Sequence, residues 1–257
     1  MKKLSNSEVA IVSGAASGMG AATAIKLAAR GAKVTLFDLN EEGLAKTAQI
    51  IEANGGECLK VVGSVASESD SKLAVDSTIK TFGHLNTSVA CAGIVKFGTV
   101  LETSLTEWED VLRVNLTGVF LLAKHSMEHL INSKGSFCAI SSDNGRMASQ
   151  GIAAYNVSKH GVLGLIRSLA VDHGSQGVRS NAVCPGPVNT PMMQKVIAGE
   201  NQPDTSGWTS MIPLGRFAEP NEIANVIAHL TSDEASYTNG LVYMVEGGSS
   251  AGYYSPL

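Results

Sequence analysis

Short apolar runs alternate with amphipathic stretches along the chain. The runs are short and apolar on both faces, and they predict strands at 8–13, 32–37, 57–62, 85–90, 136–140, 178–184 and 241–245. The stretches between them place apolar residues at helical spacing, and they predict helices at 21–30, 41–53, 68–82, 106–131, 154–172 and 219–230. This alternation predicts a parallel sheet covered by helices on both faces, which is a doubly wound α/β fold.

No linker, repeat or low-complexity segment interrupts the pattern, so we expect one domain over residues 1–257. One segment departs from the alternation. Between 185 and 217, five of the seven prolines occur together with several glycines and scattered apolar residues. A long irregular segment in a compact domain is typical of a functional loop, and we predict a substrate lid at about 189–217.

Composition excludes several classes of partner. The net charge is −4 with no basic block, which argues against nucleic acid and against a polybasic membrane anchor. No apolar run is long enough to cross a membrane and no signal peptide is evident, so we expect a cytoplasmic protein. The widely spaced cysteines predict reduced, buried thiols. His125 and His129 share a helix face without a third ligand, so we expect no metal site.

A glycine-rich turn joins the first predicted strand to the first predicted helix. It comprises Gly14, Ser17, Gly18, Met19 and Gly20 in the spacing Gly-x-x-x-Gly-x-Gly. Such a turn lets a pyrophosphate approach the backbone at a helix N-terminus, although a plain tight turn is the alternative. Asp38 ends the second predicted strand, where a carboxylate accepts hydrogen bonds from an adenosine ribose and repels a 2′-phosphate. Leu39 stands where NADP would favour an arginine, so the sequence favours NAD.

A second group of polar residues lies between 142 and 159. Tyr155 and Lys159 are one turn apart on a predicted helix and therefore leave the same face. Ser142 follows the apolar run at 136–140. In that position Ser142 could instead be a plain strand-end hydroxyl or a helix cap. A Ser, a Tyr and a Lys brought together can pass a proton to or from an oxygen while a cofactor moves a hydride.

Together these residues resemble the short-chain dehydrogenase/reductase family over nearly the whole chain. The glycine pattern, Asn115, Ser142, the Tyr155–Lys159 pair and Pro185-Gly186 occur in the family's order. The resemblance implies a single-domain Rossmann-type fold of about seven parallel strands. It also implies oxidation of a secondary alcohol or reduction of a ketone with a nicotinamide cofactor. The implied assembly is a homotetramer, with a homodimer as the alternative.

The resemblance also implies roles for individual residues. Tyr155 would be the general acid/base, and Lys159 would bind the nicotinamide ribose and lower the pKa of the phenol. Ser142 would hold the substrate oxygen, and Asn115 would support a water-linked proton path from Lys159; a local break in the long helix is an alternative role for Asn115. The expected substrate contacts are Ser142, Asn144, Gln150, Tyr155 and Met192. Beyond the glycine turn, the expected cofactor contacts are Asp38, Leu39, Ser64, Val65, Ala92, Gly93, Tyr155, Lys159, Pro185, Gly186, Val188 and Thr190.

Two positions depart from the family pattern. Ala90-Cys91-Ala92-Gly93 replaces Asn-Asn-Ala-Gly, and Ser64-Val65 replaces Asp-Val. Both changes affect cofactor binding and local stability, and neither affects the proton chemistry. They motivate an alternative function, a dinucleotide-binding regulator or scaffold with little catalysis. An epimerase or dehydratase of the extended relatives is disfavoured by the short chain. The sequence does not predict which alcohol or ketone is the substrate.

Overall fold

The predicted apolar runs form one parallel sheet. The computed structural model describes residues 8–199 and 205–252. The strands are β1 (Val9–Ser13), β2 (Lys33–Asp38), β3 (Cys58–Val62), β4 (Thr87–Ala90), β5 (Ser136–Ile140), β6 (Arg179–Pro185) and β7 (Val242–Val245). Their order is β3-β2-β1-β4-β5-β6-β7, and every neighbouring pair is parallel. The predicted doubly wound fold is confirmed, and the predicted strand ends differ from the observed ones by at most about two residues.

Helices connect the strands in sequence. They are α1 (Gly18–Ala29), α2 (Glu41–Ala53), α3 (Glu68–Phe82), α4 (Leu105–Leu112), α5 (Gly118–Ser133), α6 (Ala153–His173), α7 (Pro191–Gly199), α8 (Ser206–Thr209) and α9 (Pro220–Leu230). Short 3₁₀ turns occupy Asp143–Gly145, Gly174–Gln176 and Asp233–Ala235. Ser104 caps α4 in a capping box with Glu107.

The sheet separates two apolar cores. Ile11 and Val12 are neighbours on β1 and both are fully buried, but they belong to different cores. The helices α1, α2 and α9 cover one face, while α3, α5 and α6 cover the other. Burial on both faces explains why the strands are apolar runs instead of alternating patterns.

The strand order reverses at the boundary between β1 and β4. The first half of the sheet grows outward through β2 and β3, and the second half grows in the opposite direction through β5 and β6. In open parallel sheets the crevice at the carboxyl ends of such strands is the usual ligand site. The glycine turn follows β1, Asp38 ends β2, and Ser142 follows β5, so the topology brings all three to this edge.

The predicted helix at 106–131 is interrupted. The chain is helical from α4 to α5, but Arg113–Thr117 forms a π turn in which the Gly118 N–H bonds to the Arg113 carbonyl. The side chain of Asn115, inside this turn, bonds to the backbone of Ile94 and to Ser158. Wider turns of this kind occur mostly at functional sites. The local break expected as one role of Asn115 is therefore present.

The predicted irregular lid contains two helices, α7 and α8. Thr190 explains the start of α7, because its hydroxyl accepts a hydrogen bond of 3.2 Å from the Met193 N–H. Pro191 is the first helical residue, where its fixed φ and missing N–H are tolerated. Part of the lid, residues 200–204, lies outside the described ranges. The tail at 253–257, whose apolar sequence favours contact with a neighbouring subunit, also lies outside them.

The remaining sequence expectations concern cysteines, membranes and metals. All four cysteines are unpaired. No helix within residues 8–199 and 205–252 is both long and apolar enough to cross a bilayer. The same residues contain no cluster of three or more His, Cys, Asp and Glu side chains arranged to hold a metal ion.

Candidate active site

The glycine turn is packed so closely that side chains are excluded at two positions. Gly14 has φ +69°, and a Cβ there would lie 2.7 Å from the Ala92 nitrogen. A Cβ on Gly20 would lie 2.0 Å from the Gly14 carbonyl oxygen. The turn leads into α1, whose N-cap residue Ser17 makes no side-chain capping hydrogen bond. The first N–H groups of α1 therefore face the crevice, where they suit a phosphate.

A cavity of about 340 Å³, the dinucleotide cavity, lies over this turn. The predicted cofactor residues that line it are Gly14, Ser17, Gly18, Met19, Gly20, Asp38, Leu39, Ser64, Val65, Ala92, Gly93 and Thr190. Lining residues that the sequence did not single out include Ala16, Asn40, Cys91, Ile94 and Val114. They are uncharged neighbours of predicted residues, and only their position in the chain could have indicated them.

Asp38 joins the glycine turn to the end of β2. One carboxylate oxygen accepts a hydrogen bond of 3.1 Å from the Ala16 N–H, and the other accepts one of 2.9 Å from the Asn40 N–H. Each oxygen retains a further lone pair for a ligand. The carboxylate therefore has a structural role in holding the two turns together, and Asp38 still lines the cavity.

The two departures from the family pattern have local hydrogen-bond partners. The hydroxyl of Ser13 accepts hydrogen bonds from the N–H groups of Cys91 (3.2 Å) and Ala92 (3.4 Å), so a strand-end serine holds this loop. The Ser64 hydroxyl accepts a hydrogen bond of 3.2 Å from the Ala66 N–H. The first loop is thus fixed by bonds to a distant strand end and the second by a bond within the loop.

Tyr155, Lys159 and Ser142 come together beside the cavity. The Lys159 ammonium donates a hydrogen bond of 2.9 Å to the Ile140 carbonyl and lies 5.5 Å from the centroid of the Tyr155 ring. The Ser142 hydroxyl is within hydrogen-bonding reach of the Tyr155 phenol. The helical spacing of Tyr155 and Lys159 and the strand end before Ser142 therefore bring the three side chains into one cluster.

Asn115 connects this cluster to the cofactor cavity. Its side-chain oxygen accepts a hydrogen bond of 2.8 Å from the Ile94 N–H, and its amide donates to the Ile94 carbonyl and to Ser158. A Cβ on Gly93 would lie 3.3 Å from Asn115 Oδ1 and 3.7 Å from Lys159 Nζ. Asn115 and Lys159 therefore both lie against Gly93, on the floor of the dinucleotide cavity, without lining the cavity themselves.

Burial shifts the ionisation of the cluster. It raises the pKa of Tyr155 to about 12, and the negative charge of Asp143 adds to this rise while the Ser142 hydrogen bond opposes it. Burial also lowers the pKa of Lys159 to about 8. In the protein alone, removal of the phenolate from water outweighs the other effects on the pKa of Tyr155.

Asp143 is a residue of the site that the sequence analysis missed. Its carboxylate accepts hydrogen bonds of 2.8 Å both from the Ser142 hydroxyl and from the Asn144 N–H. Burial raises its pKa, and the neighbouring Glu246 adds to the rise. Its place directly after Ser142 was the available signal, but the family pattern gives that position no role.

A second cavity of about 500 Å³ adjoins Tyr155 and Ser142. All five predicted substrate residues line it: Ser142, Asn144, Gln150, Tyr155 and Met192. Gly186, Val188 and Thr190, which were predicted to contact the cofactor, also line it, whereas Lys159 and Pro185 line neither cavity. The lid contributes Met192, Met193, Val196 and Trp208 to its wall.

A family model described as "Enoyl-(Acyl carrier protein) reductase" matches residues 14–250. The chain belongs to the short-chain dehydrogenase/reductase family, and it is an oxidoreductase that acts on the CH–OH group of secondary alcohols. Enzymes of this family use nicotinamide dinucleotides, and the glycine turn, which excludes a Cβ at Gly14 and Gly20, fits such a cofactor.

Relatives with named activities match over nearly the full length. The 3-alpha-(or 20-beta)-hydroxysteroid dehydrogenase of Mycobacterium tuberculosis is 39% identical, over 95% of this chain and 90% of the relative. The cyclohexanol dehydrogenase of an Acinetobacter species is 34% identical, over 94% of each chain. The crystal structure of levodione reductase is 33% identical with a TM-score of 0.92, over 96% of this chain and 99% of that one.

Proposed function

We propose that the protein is an NAD-dependent dehydrogenase of secondary alcohols that also reduces the corresponding ketones, with Tyr155 as the general acid/base. The observation that carries this proposal is the position of Tyr155. It lines the substrate cavity within reach of Ser142, while Lys159, beside its ring, approaches Gly93 in the dinucleotide cavity. The group that would handle the proton thus lies where the two cavities meet.

In the proposed oxidation, Tyr155 takes the proton of the substrate hydroxyl and Ser142 holds the same oxygen. The chemistry that a nicotinamide cofactor would supply here is acceptance of the hydride in this direction and its donation in the reverse direction. Because burial raises the pKa of Tyr155 to about 12, the phenol requires added positive charge nearby before it can act as a base near neutral pH.

Lys159 supplies positive charge at neutral pH, since its pKa of about 8 keeps it protonated there. We assign Lys159 to the nicotinamide ribose as well, because its ammonium lies close to Gly93. Asn115 approaches the same floor from the π turn, which supports its role in a water-linked path that carries the proton away from Lys159.

Asp38 supports the choice of NAD over NADP. Its carboxylate faces the dinucleotide cavity and would repel a 2′-phosphate. Leu39 follows it, and none of the described residues that line this cavity is a lysine or an arginine. We therefore place the adenosine ribose, without a phosphate, beside Asp38.

The experiment is cofactor reduction with a panel of secondary alcohols and either NAD or NADP. We expect turnover with a clear preference for NAD, and Tyr155→Phe should lower kcat by about 10²–10⁴-fold through loss of general acid–base catalysis. Tyr243→Phe, at a half-exposed tyrosine of β7, is the matched control and should keep wild-type activity. Substantial turnover by Tyr155→Phe would refute the assigned role.

The alternative function as a regulator or scaffold has no observation in its favour. It rested on the departures at Ala90 and Ser64, and both loops have replacement hydrogen bonds within the chain. Binding of NAD without turnover of any alcohol or ketone would revive it.

We also propose a homotetramer in a reducing, cytoplasmic compartment. Unpaired cysteines, two of them fully inside the sheet core, support the compartment. Two separate exposed apolar faces support the assembly. The first comprises Phe120 on α5 and Val157 on α6, and the second comprises Leu241 and Tyr243 at β7, the edge strand of the sheet. A homodimer would use only one of these faces.

A further inference from the structure

The cations of the crevice lie in a cleft outside the substrate cavity. A wide cleft of about 940 Å³ continues from the dinucleotide cavity past Ser17 and Ser64, and its charged lining comprises Lys96, Lys195 and the ion pair Arg113–Asp110. The excess of positive charge therefore lies in this cleft and not among the residues that line the substrate cavity.

The substrate cavity has the opposite character. Within the part of the chain that the structure describes, its only charged lining residues are Glu102 and Asp143. Arg146, the nearest cation to Ser142 along the chain, is exposed and does not line the cavity. Residues 200–204, which the structure does not describe, contain no lysine, arginine or histidine. The other walls are largely apolar: Met19, Val95, Phe97, Ile152, Val188, Met192, Met193, Val196 and Trp208.

Asp143 is the more deeply placed of the two acids. Glu102 is exposed, and its carboxylate accepts hydrogen bonds from the N–H and hydroxyl of Thr99. Asp143 is bonded to Ser142 and to the Asn144 N–H, so it lies directly beside the serine that would hold the substrate oxygen. Among residues 8–199 and 205–252, no cation forms a salt bridge with Asp143, and the nearby carboxylate of Glu246 adds to the rise of its pKa.

We propose that the substrate is a neutral, largely apolar secondary alcohol or its ketone, and that Asp143 determines this specificity by excluding anionic substrates. This inference rests on the proposed dehydrogenase function and adds the chemical class of its substrate. A carboxylate, sulfonate or phosphate entering the cavity would lose water without gaining a cation. It would also meet the charge of Asp143, and such like-charge contact is a common way to reject a wrong ligand.

The test compares two substrates with the same ring. Cyclohexanol is neutral, and 4-hydroxycyclohexanecarboxylate adds one carboxylate. We expect wild-type kcat/KM to favour the neutral alcohol by about a hundredfold or more, as expected for an unpaired like charge. The readout is the ratio of the two kcat/KM values, because a general effect of a variant on catalysis cancels in it.

Variants then assign the effect to Asp143. Asp143→Asn keeps the shape of the side chain and should reduce the preference for the neutral alcohol by about tenfold. Glu128→Gln removes the same charge from an exposed position on α5 and should leave the ratio unchanged. If Asp143→Asn does not fold, Gln150→Lys places a cation on the cavity wall and should improve turnover of the carboxylate, whereas Gln150→Met should not.

The outcomes separate this inference from the proposed function. Equal or better turnover of the carboxylate by the wild type would overturn the inference and leave the dehydrogenase intact. An unchanged ratio in Asp143→Asn, or in Gln150→Lys, would overturn the role of cavity charge. Failure of every neutral and anionic alcohol with both NAD and NADP would overturn the proposed function as well.

Discussion

Burial shifts the ionisation of Lys159 and Tyr155 in opposite directions. The pKa of Lys159 falls to about 8 and that of Tyr155 rises to about 12, so between these values both side chains are uncharged in the protein alone. An ammonium–phenolate pair is therefore not a preformed feature of the folded chain. The site keeps a lysine whose charged form is costly to bury, as is common where function competes with stability.

The stability consequence has a definite sign. In the unfolded chain Lys159 has a pKa near 10.5, and in the folded chain it is about 8. Between these values the unfolded state binds more protons, so the contribution of Lys159 to stability rises with pH through this window. Below about pH 8, the folded protein carries the full cost of burying the ammonium.

We therefore predict that Lys159→Met abolishes activity and stabilises the protein by about 1–3 kcal/mol at pH 7. The gain should shrink as the pH approaches 10, where the wild-type lysine is already neutral. Denaturant unfolding at pH 7 and pH 10 measures both values. A variant that is destabilised equally at both pH values would contradict the proposed cost of burial.

Residue spacing predicted much of the proposed site, because Ser142, Tyr155 and Lys159 are placed by a strand end and by one helical turn. Asp143 was missed for a physical reason. Its effect depends on its burial and on its lack of a cation, and neither property is visible in a local sequence. Asp38 was predicted as a ribose ligand. Its hydrogen bonds with the N–H groups of Ala16 and Asn40 were not predicted, because they depend on how closely two separate turns approach each other.

At the scale of elements, α5 packs directly against the loop that follows β3. A Cβ on Gly118, the first residue of α5, would lie 2.9 Å from Val65 Cγ2 and 3.1 Å from the Val65 carbonyl oxygen. Val65 lines the dinucleotide cavity, so the packing of α5 fixes one wall of the site. Glycine at this helix start therefore has a packing role.

We predict that Gly118→Ala destabilises the protein by about 1–3 kcal/mol through overpacking. Gly164→Ala is the matched control, because Gly164 lies inside α6 with open space around it. That variant should be stabilised by about 0.5–1 kcal/mol, the usual gain of alanine over glycine in a helix. Thermal unfolding measures both, and a Gly118→Ala variant as stable as the control would refute the close contact.

Periodicity also has a limit at this scale. It predicted one helix at 106–131, because a π turn changes the apolar pattern by a single residue and keeps the chain helical. The lid was predicted to be irregular from its number of prolines and glycines, without regard to where each proline lies relative to a helix start. Pro191 in fact begins α7, where proline is favoured. Element types follow from long patterns, whereas such exceptions depend on individual tertiary contacts.

At the scale of the whole molecule, the topology explains why the site could be anticipated. Seven parallel strands end at the same edge, and residues far apart in the chain meet there because their strands are neighbours. The distribution of charge among the cavities at that edge could not be anticipated in the same way, because it depends on which of the surrounding loops line each cavity. The alternating pattern of strands and helices contains no such information.

The proposed tetramer makes the last prediction at this scale. If the α5/α6 face and the β7 edge form separate interfaces, blocking either one should leave dimers that use the other. We expect the wild type to have four times the chain mass in solution, and both Phe120→Glu/Val157→Glu and Leu241→Glu/Tyr243→Glu to have twice that mass. Leu73→Glu is the control and should remain tetrameric, because Leu73 on α3 is 55% exposed and belongs to neither of the two faces. Size-exclusion chromatography with light scattering measures these masses, and a monomeric wild type at micromolar concentration would rule out both interfaces.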